Sequence, residues 1–305
     1  KTIEQIAESF KPWNPGTELT VGLFSSVVPE FDERAFREAL VNAFGHRDYS
    51  LLGRVRVLVD DAGLTIANPG GFVEGINVHN LLTAEPRGRN PCLMDALKRT
   101  GLAERTGRGI DRIFEGALNY GRPLPDYSRS NRRGVSVLLP RSVPDKAFVE
   151  LLAEERERSG KSMSLDGLLI LDKLKSERRC GFDVLSGSLD MSDQRLRTVL
   201  GQLTEAGLVE SAGVGARRTY MLGAKVYRRS GRAMEYVRQS DIDRVRYPEL
   251  IIELMHEQKS VSKNDVMELL HLEENQAYYQ LRKLVLEGRA KKVGSGRNVR
   301  YAAVR

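Results

Sequence analysis

Glu38 and Asn42 are the first residues whose types and spacing could do chemistry. They stand four apart in a run whose apolar members, Phe36, Ala39, Leu40, Ala43 and Phe44, recur at helical spacing and make a buried stripe. The carboxylate and the amide then lie one above the other on a different face. There they could hold a hydrated divalent ion or orient a water. By spacing alone the better reading is the solvated face of an amphipathic helix. Asp32 is placed to cap this helix, and Gly45 marks where it ends. Further on, Gly107-Arg108-Gly109-Ile110 precedes a helical stretch at 111–118. Glycines there would let the backbone approach an anion, which a helix N-terminus favours. The plainer alternative is a helix-entry turn, with Arg105 and Arg108 as solvated charges.

A second set of residues suits nucleic acid. At the start of one predicted helix stand Gln194, Arg195, Arg197 and Thr198, with Leu196, Leu200 and Leu203 facing inward. At the start of another stand Asn275, Gln276, Tyr278 and Tyr279, with Ala277, Leu281 and Leu284 inward. Gln and Asn match adenine edges and Arg matches guanine, so the inventory fits base readout in a major groove. Arg217 and Arg218, and then Arg297, Asn298 and Arg300, fall on glycine-tipped hairpins, where they would grip phosphate or reach into a minor groove.

The elements that must position these residues follow from periodicity. Residues 3–10 read as a short helix, followed by an irregular or extended lead-in through Pro12, Pro15 and Pro29. Residues 54–60 and 64–67 alternate as a hairpin across Asp61-Ala62-Gly63, and Asn68-Pro69-Gly70-Gly71 breaks the sheet. Residues 77–82 suggest one helical turn, 90–98 a helix with Pro91 in its first turn, 109–120 another helix, and 134–140 a closing strand. Helices mixed with antiparallel strands predict an α+β two-layer sandwich over 1–143. Residues 144–161 form a helical linker that ends in a charged, glycine-terminated stretch.

Beyond it the chain repeats. A shift of 81 residues superposes Leu185 on Val266, Leu200 on Leu281 and Leu203 on Leu284, and also Gly207 on Gly288, Gly213 on Gly294, Gly215 on Gly296 and Tyr220 on Tyr301. Matched glycines and a matched tyrosine in one register indicate a duplication. Each copy reads as helix, helix, longer helix and basic hairpin, at 162–224 and 248–305 with a linker at 225–247. Ser192 and Ser262 stand as N-caps.

At 305 residues the chain is long enough for two or three domains, and 41% hydrophobic with 29% charged residues is a globular composition. No apolar run approaches membrane-spanning length, and the start lacks an export pattern. Cys92 and Cys180 are isolated and the four histidines are scattered, which excludes a cysteine-rich zinc module and predicts a reducing, cytoplasmic setting. Residues 1–160 balance 22 basic against 22 acidic residues, whereas 161–305 hold 26 against 19, so the whole net charge of +7 lies in the second half. That asymmetry points to a polyanion partner, nucleic acid before a membrane. A P-loop motor is excluded: before Gly160-Lys161-Ser162 the position that must be glycine is Glu155.

Residues 36–50 resemble the N-box helix of the gyrase, Hsp90, histidine-kinase and MutL type of ATPase. The divergent form is that of prokaryotic regulators which pair the domain with a Schlafen/AlbA domain and are often labelled RecG-like. The strings Asn42-Ala-Phe-Gly-His-Arg-Asp-Tyr-Ser50, Ala67-Asn-Pro-Gly-Gly-Phe72, Arg89-Asn-Pro91 and Gly101-Leu-Ala-Glu-Arg-Thr-Gly-Arg-Gly109 all look like that family. The resemblance implies Glu38 as the residue that orients the attacking water and Asn42 as the magnesium holder. It implies nucleotide contacts at Asn68, Gly70, Gly71, Gly107 and Gly109, with ATP and magnesium as cofactors. Asn68 stands where the family has an aspartate that reads the adenine amino group, which leaves nucleotide selectivity open. A Schlafen/AlbA domain would precede residue 1. The repeats resemble the winged helix-turn-helix of bacterial transcription regulators. The expectation is a DNA-binding transcription regulator whose ATPase-like domain senses a ligand or dimerises the chain into a homodimer. The alternative is a nucleotide hydrolase with DNA-binding accessories.

Overall fold

The computed structural model describes residues 2–21, 24–103, 107–213, 215, 218–229, 247–270, 272, 274–294 and 299–304. It is a mixed α/β protein of helices and small antiparallel sheets, divided into two compact units: residues 1–176 with 183–206, and 177–182 with 207–305.

The first unit opens with α1 (Thr2–Phe10), a short 3-10 turn (Lys11–Trp13) and the hairpin β1 (Gly16–Val21) and β2 (Phe24–Pro29), which pair antiparallel from Gly16↔Pro29 to Val21↔Phe24. Of the expected irregular or extended lead-in the extended form is found, and its pairing as a hairpin is new. Pro15 lies just outside the ladder and Pro29 at its last rung, where a missing N–H costs little, so the prolines bound the hairpin instead of breaking it. Next comes α2 (Glu33–Gly45), whose N-cap Asp32 accepts from the amides of Arg34 and Ala35 at 2.9 and 2.8 Å. Phe36 stacks on Phe10 with ring centroids 4.1 Å apart, and Leu40 and Val41 are fully buried.

The sheet is β3 (Arg56–Asp60), β4 (Gly63–Pro69) and β5 (Gly134–Pro140), with β4 central and every pairing antiparallel. Leu64 and Ile66 of β4 pack toward α2, and α2 lies along α4 (Gly109–Leu118), which buries Ile113 and Leu118. Between β4 and α3 (Pro91–Arg99) the chain has no regular element; residues 77–82 form asparagine-locked turns in place of the expected helical turn. The Asn77 amide donates to Asn80 Oδ1 at 2.7 Å and the His79 amide to Asn77 Oδ1 at 2.9 Å, local bonds that compete with helix formation.

After α5 (Lys146–Ser159) come α6 (Leu165–Glu177), a short strand β6 (Arg179–Gly181) that periodicity had not indicated, α7 (Phe182–Leu189) and α8 (Asp193–Glu205). Strands β7 (Val209–Ala212) and β8 (Thr219–Leu222) follow, with β8 between β6 and β7, and then α9 (Ala224–Arg229). Residues 230–246, most of the expected second linker, lie outside the described residues. The last segment is α10 (Tyr247–Gln258), α11 (Lys263–Leu270), α12 (Glu274–Leu286), β9 (Ala290–Val293) and β10 (Arg300–Ala303), around a core of Ile251, Leu254, Val266, Ala277, Leu281 and Leu284.

The duplication extends to the backbone. Helices α8 and α12 start at 193 and 274, β7 and β9 at 209 and 290, and β8 and β10 at 219 and 300, all offset by the 81 residues read from the sequence. The pairing Cys180↔Tyr220 recurs as Val261↔Tyr301. Left-handed residues recur too: Arg178 and Lys259 at φ 65° and 63°, Gly207 and Gly288 at 69° and 71°, Gly213 and Gly294 at 85° and 84°. The matched glycines are thus held by a conformation that side chains resist.

Candidate functional site

The buried stripe of α2 turns Glu38 and Asn42 toward the start of α4. Glu38 is 1% exposed, with Oε1 3.5 Å from Arg37 Nη2 and 3.7 Å from Arg112 Nη1. A Cβ built on Gly109 would stand 3.1 Å from Glu38 Oε2 and 3.6 Å from Asn42 Nδ2, so the absence of a side chain lets the first residue of α4 close on this pair. The N-cap residue Arg108 makes no side-chain cap to α4, and a helix N-terminus favours an anion. Gly107, at φ 77°, makes the turn into it against Pro86.

Glu38, Asn42, Asn68, Gly71, Gly107 and Gly109 all line one cavity of about 370 Å³, within the range of small-molecule sites. The sequence-predicted Gly70 is not in its wall. Apolar residues form most of the lining, among them Ile66, Phe72, Val137 and Tyr127, with Lys98 and Arg87 as its cations and Glu38, Glu85, Asp95 and Asp111 as its carboxylates. Asn68 is 7% exposed, and its Nδ2 donates to the Pro69 carbonyl at 3.1 Å. Burial pushes the Tyr127 phenol upward, so it stays protonated as a donor. His46, also in the wall, is pushed down by burial and then by the Arg89 guanidinium, which favours its neutral form. Arg108 pairs with Asp111 at 3.1 Å and Glu115 at 3.7 Å, and Arg105 lies outside the described residues. Among the described residues no cluster of three His, Cys, Asp or Glu side chains could hold a metal.

Sequence reasoning missed the junction that fixes this cavity. Arg89 bridges Asp48 Oδ2 at 3.3 Å and the Gly71 carbonyl at 2.7 Å. Asn90 Nδ2 donates to the carbonyls of Gly45 and Arg47 at 2.9 and 2.7 Å, closing the end of α2. Gly70 serves here: its φ is 92°, and a Cβ would come within 2.6 Å of Asp48 Cβ. The hydroxyl and amide of Ser50 hold the Asp48 carboxyl below the ordinary range. Three of the quoted strings meet at this junction. Their co-occurrence was the available signal, and their contact was not legible.

On the repeats, Gln194, Arg197, Asn275 and Gln276 are exposed, as are Tyr278 at 50% and Tyr279 at 64%. Thr198 is exposed, its hydroxyl donating to the Gln194 carbonyl at 2.9 Å. Arg195 is committed within the chain by a two-pronged pair with Asp166 of α6. Arg300 binds Ser260 Oγ at 2.9 Å and the Ser260 carbonyl at 2.8 Å. It is a tie between β10 and the α10–α11 link, a role its hairpin position had not suggested. Arg218 is exposed; Arg217, Arg297 and Asn298 lie outside the described residues.

Residues 53–139 match a family model described as "Putative ATP-dependent DNA helicase recG C-terminal". The matched stretch holds Asn68, Gly71, Gly107 and Gly109 and begins after α2, so it does not reach Glu38 or Asn42. No curated protein matches the chain. Among solved structures, the DIP2311 protein from Corynebacterium diphtheriae aligns over 99% of this chain and 53% of its own, at TM-score 0.59 and 22% identity. The chain thus spans about half the length of that protein, and the two share a fold. The mRNA-binding domain of elongation factor SelB from E. coli aligns over 47% of this chain and all of its own, at TM-score 0.19 and 15% identity, too loosely to bear on the fold. These matches show a likeness of residues 53–139 to that family model, and a fold that the chain shares along its length with the DIP2311 protein.

Proposed function

We propose that the chain is a DNA-binding transcription regulator in which an ATPase-like sandwich senses a nucleotide and two winged helices bind duplex DNA. The observation that carries this reading is the doubled unit, three helices and a hairpin, whose third helices α8 and α12 expose Gln194, Arg197, Asn275 and Gln276 while burying Leu196, Ala277 and Leu281. Two such readers in one chain fit a repeated site.

The cavity supports the sensing half. Phosphates would suit the start of α4 beside Gly107 and Gly109, in a wall that holds Lys98 and Arg87 along with Glu38, Glu85, Asp95 and Asp111. An apolar base fits between Ile66, Phe72 and Val137, with the Asn68 amide, its nitrogen already donating to Pro69, offering oxygen to an exocyclic amine. Magnesium would be held by the Asn42 oxygen together with the phosphates, which suits an ion that keeps most of its ligands outside the protein. When bound it would neutralise phosphate charge.

The second reading, a hydrolase with Glu38 activating water, draws on the same geometry: a buried carboxylate between Asn42 and the start of α4. Against it, Arg37 and Arg112 share the charge of that carboxylate. Two measurements separate the readings. Binding to duplex DNA should fall with salt along the slope of counterion release, and a flat dependence would contradict phosphate neutralisation. Phosphate release that vanishes in Glu38→Ala would favour the hydrolase; none, with DNA binding retained, favours the regulator.

A further inference from the structure

Among the described residues a hydrogen bond joins the cavity wall to the link that leads into α8, and we infer that it carries the ligand signal from the cavity to that helix. This rests on the proposed nucleotide site and concerns its regulation. Residues 72–88 supply one wall of the cavity through Val73, Ile76, Leu81, Leu82 and Ala84. Side-chain bonds stiffen the segment: Asn80 accepts from the Asn77 amide at 2.7 Å and donates to the Gly75 carbonyl at 2.9 Å. Its backbone carbonyl takes the amides of Thr83 and Ala84 at 3.1 and 2.8 Å. A wall tied at this many points shifts as a body.

On the outer side of that wall the Thr83 hydroxyl donates to Asp190 Oδ2 at 2.6 Å, across 107 residues of sequence. Both belong to the same compact unit. Asp190 begins the three-residue link from α7 to α8 and holds a left-handed φ of 48°. Ser192, two residues on, caps α8. Ser186 bonds Asp193 at 3.0 Å, and Arg195 is pinned to Asp166, so the link cannot move without the start of α8. Gln194 lies in that first turn. A ligand that displaces the wall therefore pulls on the turn that aims Gln194, and the coupling must run both ways.

The test is hydrogen exchange on the full chain with and without magnesium-ATP. ATP should slow exchange at 72–84 and 107–113, and change it at 186–196 by about fivefold or more, a typical coupling. Thr83→Val removes the hydroxyl with little change of shape. Asp190→Gly removes the acceptor while suiting the left-handed backbone. Both variants should keep the protection at 72–84 and lose the response at 186–196. If ATP protects the cavity and leaves 186–196 unchanged in the wild type, or if both variants keep the response, the tether is overturned and the nucleotide site stands. If ATP protects neither region, the nucleotide site fails and the tether falls with it.

Discussion

Gly116→Ala should lower stability although it sits inside a helix, where alanine ordinarily gains about 1 kcal/mol over glycine. A Cβ at this position would stand 2.7 Å from Ala35 Cβ, 2.9 Å from Asp32 Cβ and 3.0 Å from Asp32 Oδ1. Two of these neighbours are Cβ atoms on the first turn of α2, and they cannot swing away as the end of a long side chain can. Overpacking of this kind costs about 1–3 kcal/mol. Moving Asp32 also weakens the cap that holds the amides of Arg34 and Ala35, worth about 1 kcal/mol. The net expectation is a loss of about 1–3 kcal/mol, which for a unit of this size lowers the melting midpoint by roughly 2–4 °C per kcal/mol. Because α4 is pushed from α2, Gly109 also leaves Glu38 and Asn42, and nucleotide affinity should fall with stability. Gly201→Ala is the control: Gly201 lies in α8 with nothing within 4 Å of its added Cβ, so that variant should gain about 1 kcal/mol. Circular-dichroism melts of the two variants beside the wild type decide the matter. If Gly116→Ala melts at or above the wild type while Gly201→Ala behaves as expected, the close crossing of α2 and α4 is refuted.

His46 is held below its ordinary value near 6.5 by burial and then by Arg89, so the unfolded chain takes up its proton first on acidification. Its contribution is complete above that value and is lost as the pH falls toward the depressed one; melts of His46→Gln and wild type should converge in acid relative to their separation at neutral pH. Lys259 follows the last turn of α10 at φ 63°, so Lys259→Gly should raise the denaturation midpoint slightly, by about 0.5 kcal/mol once the extra freedom of the unfolded glycine is subtracted. Arg218→Ala should weaken duplex binding on every sequence alike and reduce the salt slope by about one, as read from isotherms at several salt concentrations.

Much of this architecture is legible before any coordinates, for identifiable reasons. The apolar stripe 36–44 sets α2, and the 81-residue repeat sets every helix and strand from α11 to β10, because a register carried by left-handed residues admits no slip. The first hairpin escaped because its bounding prolines resemble breakers, and β6 escaped because three residues are too few to show a period. Six of the proposed site residues converge because α2, the end of β4 and the start of α4 surround one cavity, a matter of sheet order that no single stretch contains. The Arg89 bridge from Asp48 to Gly71 and the Arg195–Asp166 pair were hidden for the same reason: each joins residues far apart in the chain. Asp48 and Ser50, two apart, were the local hint of a structured turn.

The most direct test of the nucleotide-sensing site is the melting midpoint of the full chain in magnesium-ATP, beside Gly109→Val, whose side chain would fill the space before Glu38 and Asn42. At about a hundred times its dissociation constant a bound nucleotide should stabilise the wild type by about 2.7 kcal/mol, a rise of several degrees, and leave the variant unmoved. A wild-type midpoint unchanged by ATP and by ADP would contradict the account.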